Sequence, residues 1–455
     1  MKKTLIALVL LALAGVAAGG YWMLREPPPQ WTSDSPQALE EFQLGFDAMS
    51  KFYNAEAREH FARALELDPD FVVARLQNAS YLEKDDSDRL RAELAAVDRG
   101  RLNAQERFLL DYWLARTAPE EPEREPSRRE PAEILDEFLA EHPDNFFGLR
   151  YQCDAYWRDQ DWDSAEGCFQ RLLELHPNWV MAQNHLGYVA MARGRFSEAE
   201  ERFSTYRYIA PDQANPHDSM AELLITLGRY EEAEASLQKA IAIKADFCHA
   251  YQLRAQIGLF TGRFEIVEKA LADLDSFAGC ESTKEYGYSC MMKARLRYYQ
   301  GDAEGAWELV DGDCLERFQG VDLTAHRIAV MTGRVDRALE MEEKQRRRQE
   351  ETLAAGRPDD AESMGAGLAH MEGIRALAGG DTARAVERLT RADQLLDYWG
   401  PRAELKLFHR LNLLHALELA GEKAAAEALR GKIEAVNPRL LQDVHLRDLD
   451  PTARG

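Results

Sequence analysis

The sequence has little positive charge for its size. Its 455 residues include 79 acidic and 56 basic side chains, which gives a formal net charge of -23. Binding to nucleic acid or to an anionic membrane surface requires a basic face, so this balance argues against both classes of ligand. The one basic cluster, at 344–348, is followed at once by two glutamates and indicates a solvated helix face.

Motifs for catalysis and for metal or cofactor binding are also missing. The chain has no Cys-x-x-Cys, His-Glu-x-x-His, Gly-x-Ser-x-Gly, phosphate-binding loop or dinucleotide fingerprint. Cys248 precedes His249, but adjacent residues of a helix point about 100° apart, which disfavours a thiol and imidazole pair. We therefore expect a protein that is not an enzyme and that needs no cofactor or metal.

Instead of catalytic or metal-binding motifs, the sequence contains a helical module that recurs with a fixed period. No segment shows the period-two alternation of a strand, whereas LGFDAMSKFYNAEAREHFARALELDPD, from Leu44, aligns with LGYVAMARGRFSEAEERFSTYRYIAPD, from Leu186. With the terminal proline taken as position 32, the units end near Pro69, Pro177, Pro211 and Pro438. The chain is therefore predicted to be all-α and built from helix hairpins.

Small and large residues alternate at fixed positions of the module. Position 8 holds Gly45, Gly187, Ala221, Ala255 and Gly373; position 20 holds Ala57, Ala165, Ala199, Ala233 and Ala385; position 24 holds Phe61, Phe169, Phe203, Leu237, Leu271 and Leu389; and turn glycines are Gly194, Gly228, Gly262, Gly301, Gly333 and Gly421. Two helices approach to about 8–10 Å only where side chains are short. This pattern predicts tightly packed hairpins with a glycine at the turn.

The module resembles the tetratricopeptide repeat, a helix-turn-helix unit of about 34 residues with small residues at fixed positions and a proline near its end. The resemblance implies a right-handed superhelical solenoid of about ten hairpins over positions 38–440, followed by a tail at 441–455. The pattern is irregular at 71–143, which includes a proline-rich loop insertion at 119–131, and a break is possible near 275–330.

The resemblance also implies a surface for a protein partner. In the family, positions 2, 5, 9, 12 and 13 of the first helix usually meet the ligand, which here gives Phe147, Arg150, Asp154, Trp157, Arg158, Met181, Asn184, Tyr188, Met191, Asp218 and Glu222, with Asn215 and Ile225 beside them. Aromatic, methionine and arginine side chains suit an extended peptide or a partner helix. The alternative is that the same stripe belongs to the core between repeats.

The N-terminus predicts export. Lys2 and Lys3 precede an apolar stretch at 4–24, which is long enough to span the roughly 30 Å hydrocarbon layer and should leave the N-terminus in the cytoplasm. We expect an uncleaved anchor in a bacterial inner membrane, a proline-rich tether at 25–37 and a periplasmic solenoid. The alternative is a signal peptide cleaved after 16–18, which would leave a soluble periplasmic protein.

Export would place the six cysteines in an oxidising compartment, where disulfides can form. Residues whose positions sum to about 31 to 34 lie at the same height in a hairpin, so the repeat frame pairs Cys153 with Cys168, Cys248 with Cys280, and Cys290 with Cys314. We expect three structural disulfides from these pairs. The alternative is six buried free thiols that act as small core residues.

These features predict a protein-binding scaffold, tethered at the periplasmic side of the membrane and acting in envelope assembly or secretion. Protein partners are expected, with no nucleic acid and no membrane contact beyond the N-terminal helix. The alternative is an enzyme or carbohydrate-binding module held in the irregular regions 71–143 or 275–330, since functional sites are often grafted onto loops of a common scaffold.

Overall fold

A computed structural model describes residues 31–79, 84–118, 129–277, 280, 283–315, 323–396 and 403–442. These residues form α-helices and contain no β-strand, so the all-α prediction is confirmed for them. None of their helices is long and apolar enough to cross a bilayer. The predicted anchor at 1–24, most of the insertion at 119–131 and most of the tail lie outside the described residues.

The helices fall into two compact units, and the first comprises the chain to residue 49 together with 54–141. Its helices are α1 (Pro36–Ser50), α2 (Asn54–Leu67), α3 (Val72–Asn78), α4 (Lys84–Ala95), α5 (Ala104–Arg116) and α6 (Pro131–Glu141). The irregular region predicted from 71 thus contains short helices. Asn103 begins α5 with a capping box, in which its side chain accepts from the Glu106 backbone N–H and the Glu106 carboxylate accepts from the Asn103 N–H.

The second unit comprises residues 50–53 and the chain from residue 142 onward. The α-helices of its described residues follow one another as eight pairs: α7 (Phe146–Arg158) and α8 (Trp162–Leu175), α9 (Met181–Ala192) and α10 (Phe196–Ile209), α11 (Asn215–Thr226) and α12 (Tyr230–Ile243), α13 (Cys248–Thr261) and α14 (Phe264–Asp275), α15 (Thr283–Tyr299) and α16 (Ala303–Leu309), α17 (Leu323–Met331) and α18 (Val335–Ala354), α19 (Pro358–Ala378) and α20 (Thr382–Leu395), and α21 (Ala403–Leu419) and α22 (Lys423–Glu434). We call the earlier member of each pair its first helix.

Each regular pair is held by a small residue that lies against a large one. A Cβ atom placed on Gly187 would overlap the buried Phe203 ring, and one on Gly373 would come within 2.6 Å of Leu389. The position-20 alanines are all fully buried. The turn glycines predicted from the sequence have φ between 68° and 90°, a range that favours glycine. The small and large positions of the repeat frame are therefore confirmed.

Ion pairs at equivalent repeat positions link neighbouring helix pairs. Arg195, just before α10, contacts Glu166 of α8 at 2.7 Å, and one repeat later Arg229, just before α12, contacts Glu200 of α10 at 2.7 Å. These side chains are roughly one fifth to two fifths exposed, so each pair is worth at most about 1 kcal/mol. The same arginine and glutamate positions therefore meet between successive helix pairs, and each contact adds little stability.

The C-terminal helix pair contacts helices that are distant in sequence. Asn437 donates from Nδ2 to the Tyr230 hydroxyl at 3.3 Å, and any Cβ on Gly228 would overlap the Asn437 side chain. Arg439 pairs with Glu231 at 2.6 Å, and its guanidinium lies 4.8 Å from the centre of the Tyr230 ring. The second unit thus returns on itself, with its last helix pair packed against α11 and α12.

All six cysteines form disulfides, with the pairing expected from the repeat frame. Cys153 is bonded to Cys168 with a Cα–Cα distance of 5.3 Å, Cys248 to Cys280 at 5.7 Å, and Cys290 to Cys314 at 5.5 Å. The Cys153–Cys168 bond joins the two helices of one pair. The Cys248–Cys280 and Cys290–Cys314 bonds each close a later pair. Because each bond closes a loop of this length in the unfolded chain, it stabilises the folded state by roughly 3 kcal/mol.

Two buried histidines meet between α19 and α21. The rings of His370 and His409 lie 4.0 Å apart, centre to centre. Burial lowers the pKa of His370 well below its usual value, and the nearby His409 and Arg327 lower it further. Burial also lowers the pKa of His409, to about 4, although Asp393 acts in the opposite direction. Both rings are therefore neutral in the folded protein near pH 7.

Gly187→Ala should lower the free energy of unfolding by about 1–3 kcal/mol, because the added methyl group would overlap the buried Phe203 ring. Gly167→Ala is the matched control: Gly167 lies in α8 with nothing within 4 Å, so alanine there should be neutral or stabilise the helix by up to about 1 kcal/mol. Urea denaturation followed by circular dichroism measures both. Equal stabilities of the two variants would contradict the close helix approach.

The buried histidines make stability depend on pH. Because the folded pKa of His409 is about 4 and the usual pKa of histidine is 6.5, the unfolded chain binds more protons between these values, so stability falls as the pH drops through this window. We expect His409 to contribute a loss of about 2 kcal/mol between about pH 7 and pH 4.5.

His409→Gln should reduce that pH dependence, whereas the control His142→Gln, at a half-buried histidine that follows α6, should keep the wild-type slope. Urea denaturation across the same pH range measures both variants. A His409→Gln variant with an unchanged slope would show that the ring does not resist protonation.

Candidate functional site

Four consecutive first helices, α7, α9, α11 and α13, carry two rows of polar residues. Position 5 contributes Arg150, Asn184, Asp218 and Gln252, and position 9 contributes Asp154, Tyr188, Glu222 and Gln256. Positions 5 and 9 are four residues apart and therefore share one side of each helix. We call these eight residues the polar face.

The predicted partner-binding residues differ in exposure. Phe147, Met181, Asn184, Met191 and Asp218 are buried; Arg150, Asp154, Trp157, Tyr188 and Glu222 are half-buried; and Arg158 is exposed. Asn215 and Ile225 are buried as well. The predicted surface is thus a buried floor with a partly accessible rim. In the position-9 row, Asp154, Tyr188 and Glu222 are half-buried and Gln256 is buried.

Tyr188 links two adjacent first helices. Its hydroxyl donates a hydrogen bond of 2.7 Å to Glu222 Oε2, across one full repeat of the sequence. Burial raises the pKa of Tyr188 well above its usual value, and the negative charges of Glu222 and Asp218 raise it further. The phenol therefore stays protonated and lies in a region of negative potential.

Asp218 makes the next link, to α13. Its Oδ2 lies 2.6 Å from His249 Nδ1, while its Oδ1 is buried without a hydrogen-bond partner. Asn184, one repeat earlier in the same row, also has a buried Oδ1 atom without a partner. The sequence prediction omits His249 from this face, yet it occupies position 2, the place that Phe147 and Met181 hold in earlier repeats.

Aromatic rings cover the N-terminal part of the polar face. Trp157 of α7 contacts Tyr188 edge-on, with 6.2 Å between ring centres, and His185 at 5.6 Å. His185 stacks on Phe169 at 4.5 Å, and its Nδ1 lies 2.8 Å from the Met181 carbonyl oxygen, which fits a donated hydrogen bond. Burial lowers the pKa of His185, against an opposing effect of Asp154. This ring is a packed neutral imidazole.

Charge is unevenly distributed over the face. Arg150 lies 3.7 Å from Asp154 on the same helix, so these two charges offset each other on α7. On α11, Asp218 and Glu222 bring two carboxylates to one turn of helix, where they contact His249 and Tyr188. The centre of the face is therefore acidic and rich in hydrogen-bond acceptors.

Cys248 belongs to the Cys248–Cys280 disulfide, and His249 beside it contacts Asp218. These contacts leave the pair no role in thiol chemistry. Among the residues that the structure describes, no group of three or more His, Cys, Asp or Glu side chains could hold a metal ion. The polar face combines carboxylates and amides with one arginine, Arg150, and one phenol, Tyr188.

A family model described as "Tetratricopeptide repeat" matches residues 190–257, from the end of α9 into α13. The chain contains tetratricopeptide repeats. The matched segment includes Asp218, Glu222 and His249, so the centre of the polar face lies within the matched repeats.

A curated relative matches a short segment. The protein named "Protein O-mannosyl-transferase Tmtc2", from Drosophila melanogaster, is 43% identical over 74 residues, which are 16% of this chain and 8% of that protein. The match thus spans less than a tenth of the relative's length. A similarity of this extent is the size of two tetratricopeptide repeats.

Solved structures with similar folds include other tetratricopeptide repeat proteins. One from Parabacteroides merdae has a TM-score of 0.40 and 16% identity, covering 55% of this chain and 93% of its own. Yeast Tom70 has a TM-score of 0.41 and 14% identity, covering 66% of each chain. The Cut9-Hcn1 hetero-tetramer of APC/C has a TM-score of 0.49 and 13% identity, covering 99% of this chain and 82% of that one.

Proposed function

We propose that this protein is a non-catalytic scaffold that holds a segment of a partner protein against the first helices α7 to α13. The observation that carries the proposal is the polar face, which continues over four helices and joins half-buried aromatic rings to unpartnered acceptors. A flat surface of charged side chains would offer a partner no anchoring point, whereas Trp157 and Tyr188 offer both apolar area and polar contacts.

We also propose that the scaffold is tethered at the periplasmic side of a bacterial inner membrane and acts in envelope assembly or secretion. The apolar stretch at 4–24 after Lys2 and Lys3 supports the anchor. The three disulfides support an oxidising compartment, since the cytosol keeps thiols reduced. A tether near the membrane would keep the local concentration of the scaffold high beside its partners.

We do not propose mannosyl-transferase activity for this chain. The match to the relative of that name covers 8% of that protein. Tetratricopeptide repeats bind partners in many unrelated proteins, so a shared pair of repeats indicates shared architecture and not a shared reaction.

Replacing both rim aromatics should abolish partner capture. Trp157→Ala combined with Tyr188→Ala removes the two aromatic anchors of the face, and crosslinking in cells followed by affinity purification should then recover none of the proteins captured by the wild type. Tyr208→Ala is the matched control, because Tyr208 is 86% exposed on the second helix α10.

Trp157 also packs against Trp162 and Phe169, so the double variant should melt at a lower temperature, and capture is measured well below that temperature. Tyr188→Phe provides a milder variant that keeps the ring and removes the hydrogen bond to Glu222. Unchanged capture by the folded double variant would remove the polar face from the proposal.

The topology has its own test. A reporter that is active only in the cytoplasm, fused after Gly455, should stay inactive, and alkylation of the exported protein without reductant should find no free thiol. An active reporter would overturn the periplasmic proposal. Six alkylatable thiols would show that the disulfides do not form in the cell.

A further inference from the structure

The centre of the polar face has acceptors that lack donors. Asn184 and Asp218 are 4% and 2% exposed, and each has a buried Oδ1 atom without a hydrogen-bond partner. The two residues occupy the same repeat position on adjacent first helices, α9 and α11. Buried acceptors without donors destabilise a fold, and a ligand that supplied donors to them would relieve this cost.

Negative charge surrounds these acceptors. Glu222 is half-buried one turn beyond Asp218, and the raised pKa of Tyr188 agrees with the effect of both carboxylates. The facing charged groups on the packed helices are Arg150, which pairs with Asp154, and His249, which contacts Asp218. The local charge therefore favours a cationic ligand.

An aromatic wall completes the site. The Trp157 ring is half-buried and lies 6.2 Å from the Tyr188 ring, whose hydroxyl donates to Glu222. A cation that lies over the face of a tryptophan is attracted by its π-electrons, and a planar cation also stacks on it.

We propose that this part of the polar face binds an arginine side chain of the partner segment, an inference that rests on the proposed function. The guanidinium donates to Glu222 in place of the Tyr188 hydroxyl, and Tyr188 must move aside before the buried Oδ1 atoms of Asp218 and Asn184 can accept from it. Its flat surface stacks on Trp157. Arginine fits better than lysine, because it presents five donors in a planar fork that can reach several acceptors at once.

A phage-displayed library of random twelve-residue peptides, selected on the full-length chain in detergent micelles, provides the probe. Arginine should be enriched at one position of the selected peptides. When the best peptide is synthesised with citrulline in place of that arginine, it should bind at least about tenfold more weakly, because citrulline keeps the shape and loses the charge. A lysine version should fall between the two.

Two variants separate a specific site from general attraction. Glu222→Gln should reduce the preference for arginine over citrulline several-fold, while Glu201→Gln, at an exposed glutamate on the second helix α10, should leave it unchanged. Thermal melting followed by circular dichroism shows that both variants are folded.

Selected peptides that lack arginine, equal binding of the citrulline peptide, or no enrichment at all would each overturn the arginine proposal. None of these results would affect the scaffold proposal, whose binding face is tested separately by partner capture with the folded Trp157 and Tyr188 double variant. The two tests therefore fail independently.

Discussion

In each regular helix pair, a small residue of the first helix lies against a large apolar residue of the second. At Gly187 there is no room for a single methyl group beside Phe203, and the fully buried Ala199 follows on the same hairpin. Because the helices touch at this point, the register of each pair is fixed, and so is the direction in which its remaining faces point. The polar face depends on this register, because its residues occupy the same two repeat positions in four successive first helices.

A second constraint acts between pairs that are far apart in sequence. Asn437, which follows the last helix, donates to the Ile225 carbonyl oxygen of α11 at 3.4 Å and to the Tyr230 hydroxyl of α12, and Arg439 pairs with Glu231 of α12. Gly228 permits this approach, since its φ is 73° and any side chain would meet Asn437. The helix that carries Asp218 and Glu222 is therefore held from both directions along the chain. A rigid support of this kind suits a binding face, because less order has to be gained when a partner binds.

Much of the fold was predictable because its contacts are local. The small and large positions, the turn glycines and the cysteine pairs all follow from a hairpin whose two helices are close together in sequence. The Cys153 and Cys168 pair is an example, since both belong to one hairpin at matching heights. The predicted partner-binding residues also follow from repeat position alone, and the structure gathers them on adjacent first helices.

The less predictable features depend on contacts between pairs. Position 5 predicts that Asn184 and Asp218 share a face, but it does not predict that both are buried with an acceptor unpaired. Position 2 would have added His249, whose role depends on Asp218 lying 2.6 Å away on the neighbouring helix. The close His370 and His409 rings likewise come from helices joined by no shared pattern.

The amino-acid order is sufficient for the helix hairpins, their spacing and their disulfides, since each depends on residues within about one repeat. The return of the C-terminal pair to α11, the depth of each polar residue and the acidic centre of the face arise when distant pairs pack. Each repeat is slightly rotated relative to the next, and these features depend on the sum of those rotations. The sequence of a single repeat does not determine that sum.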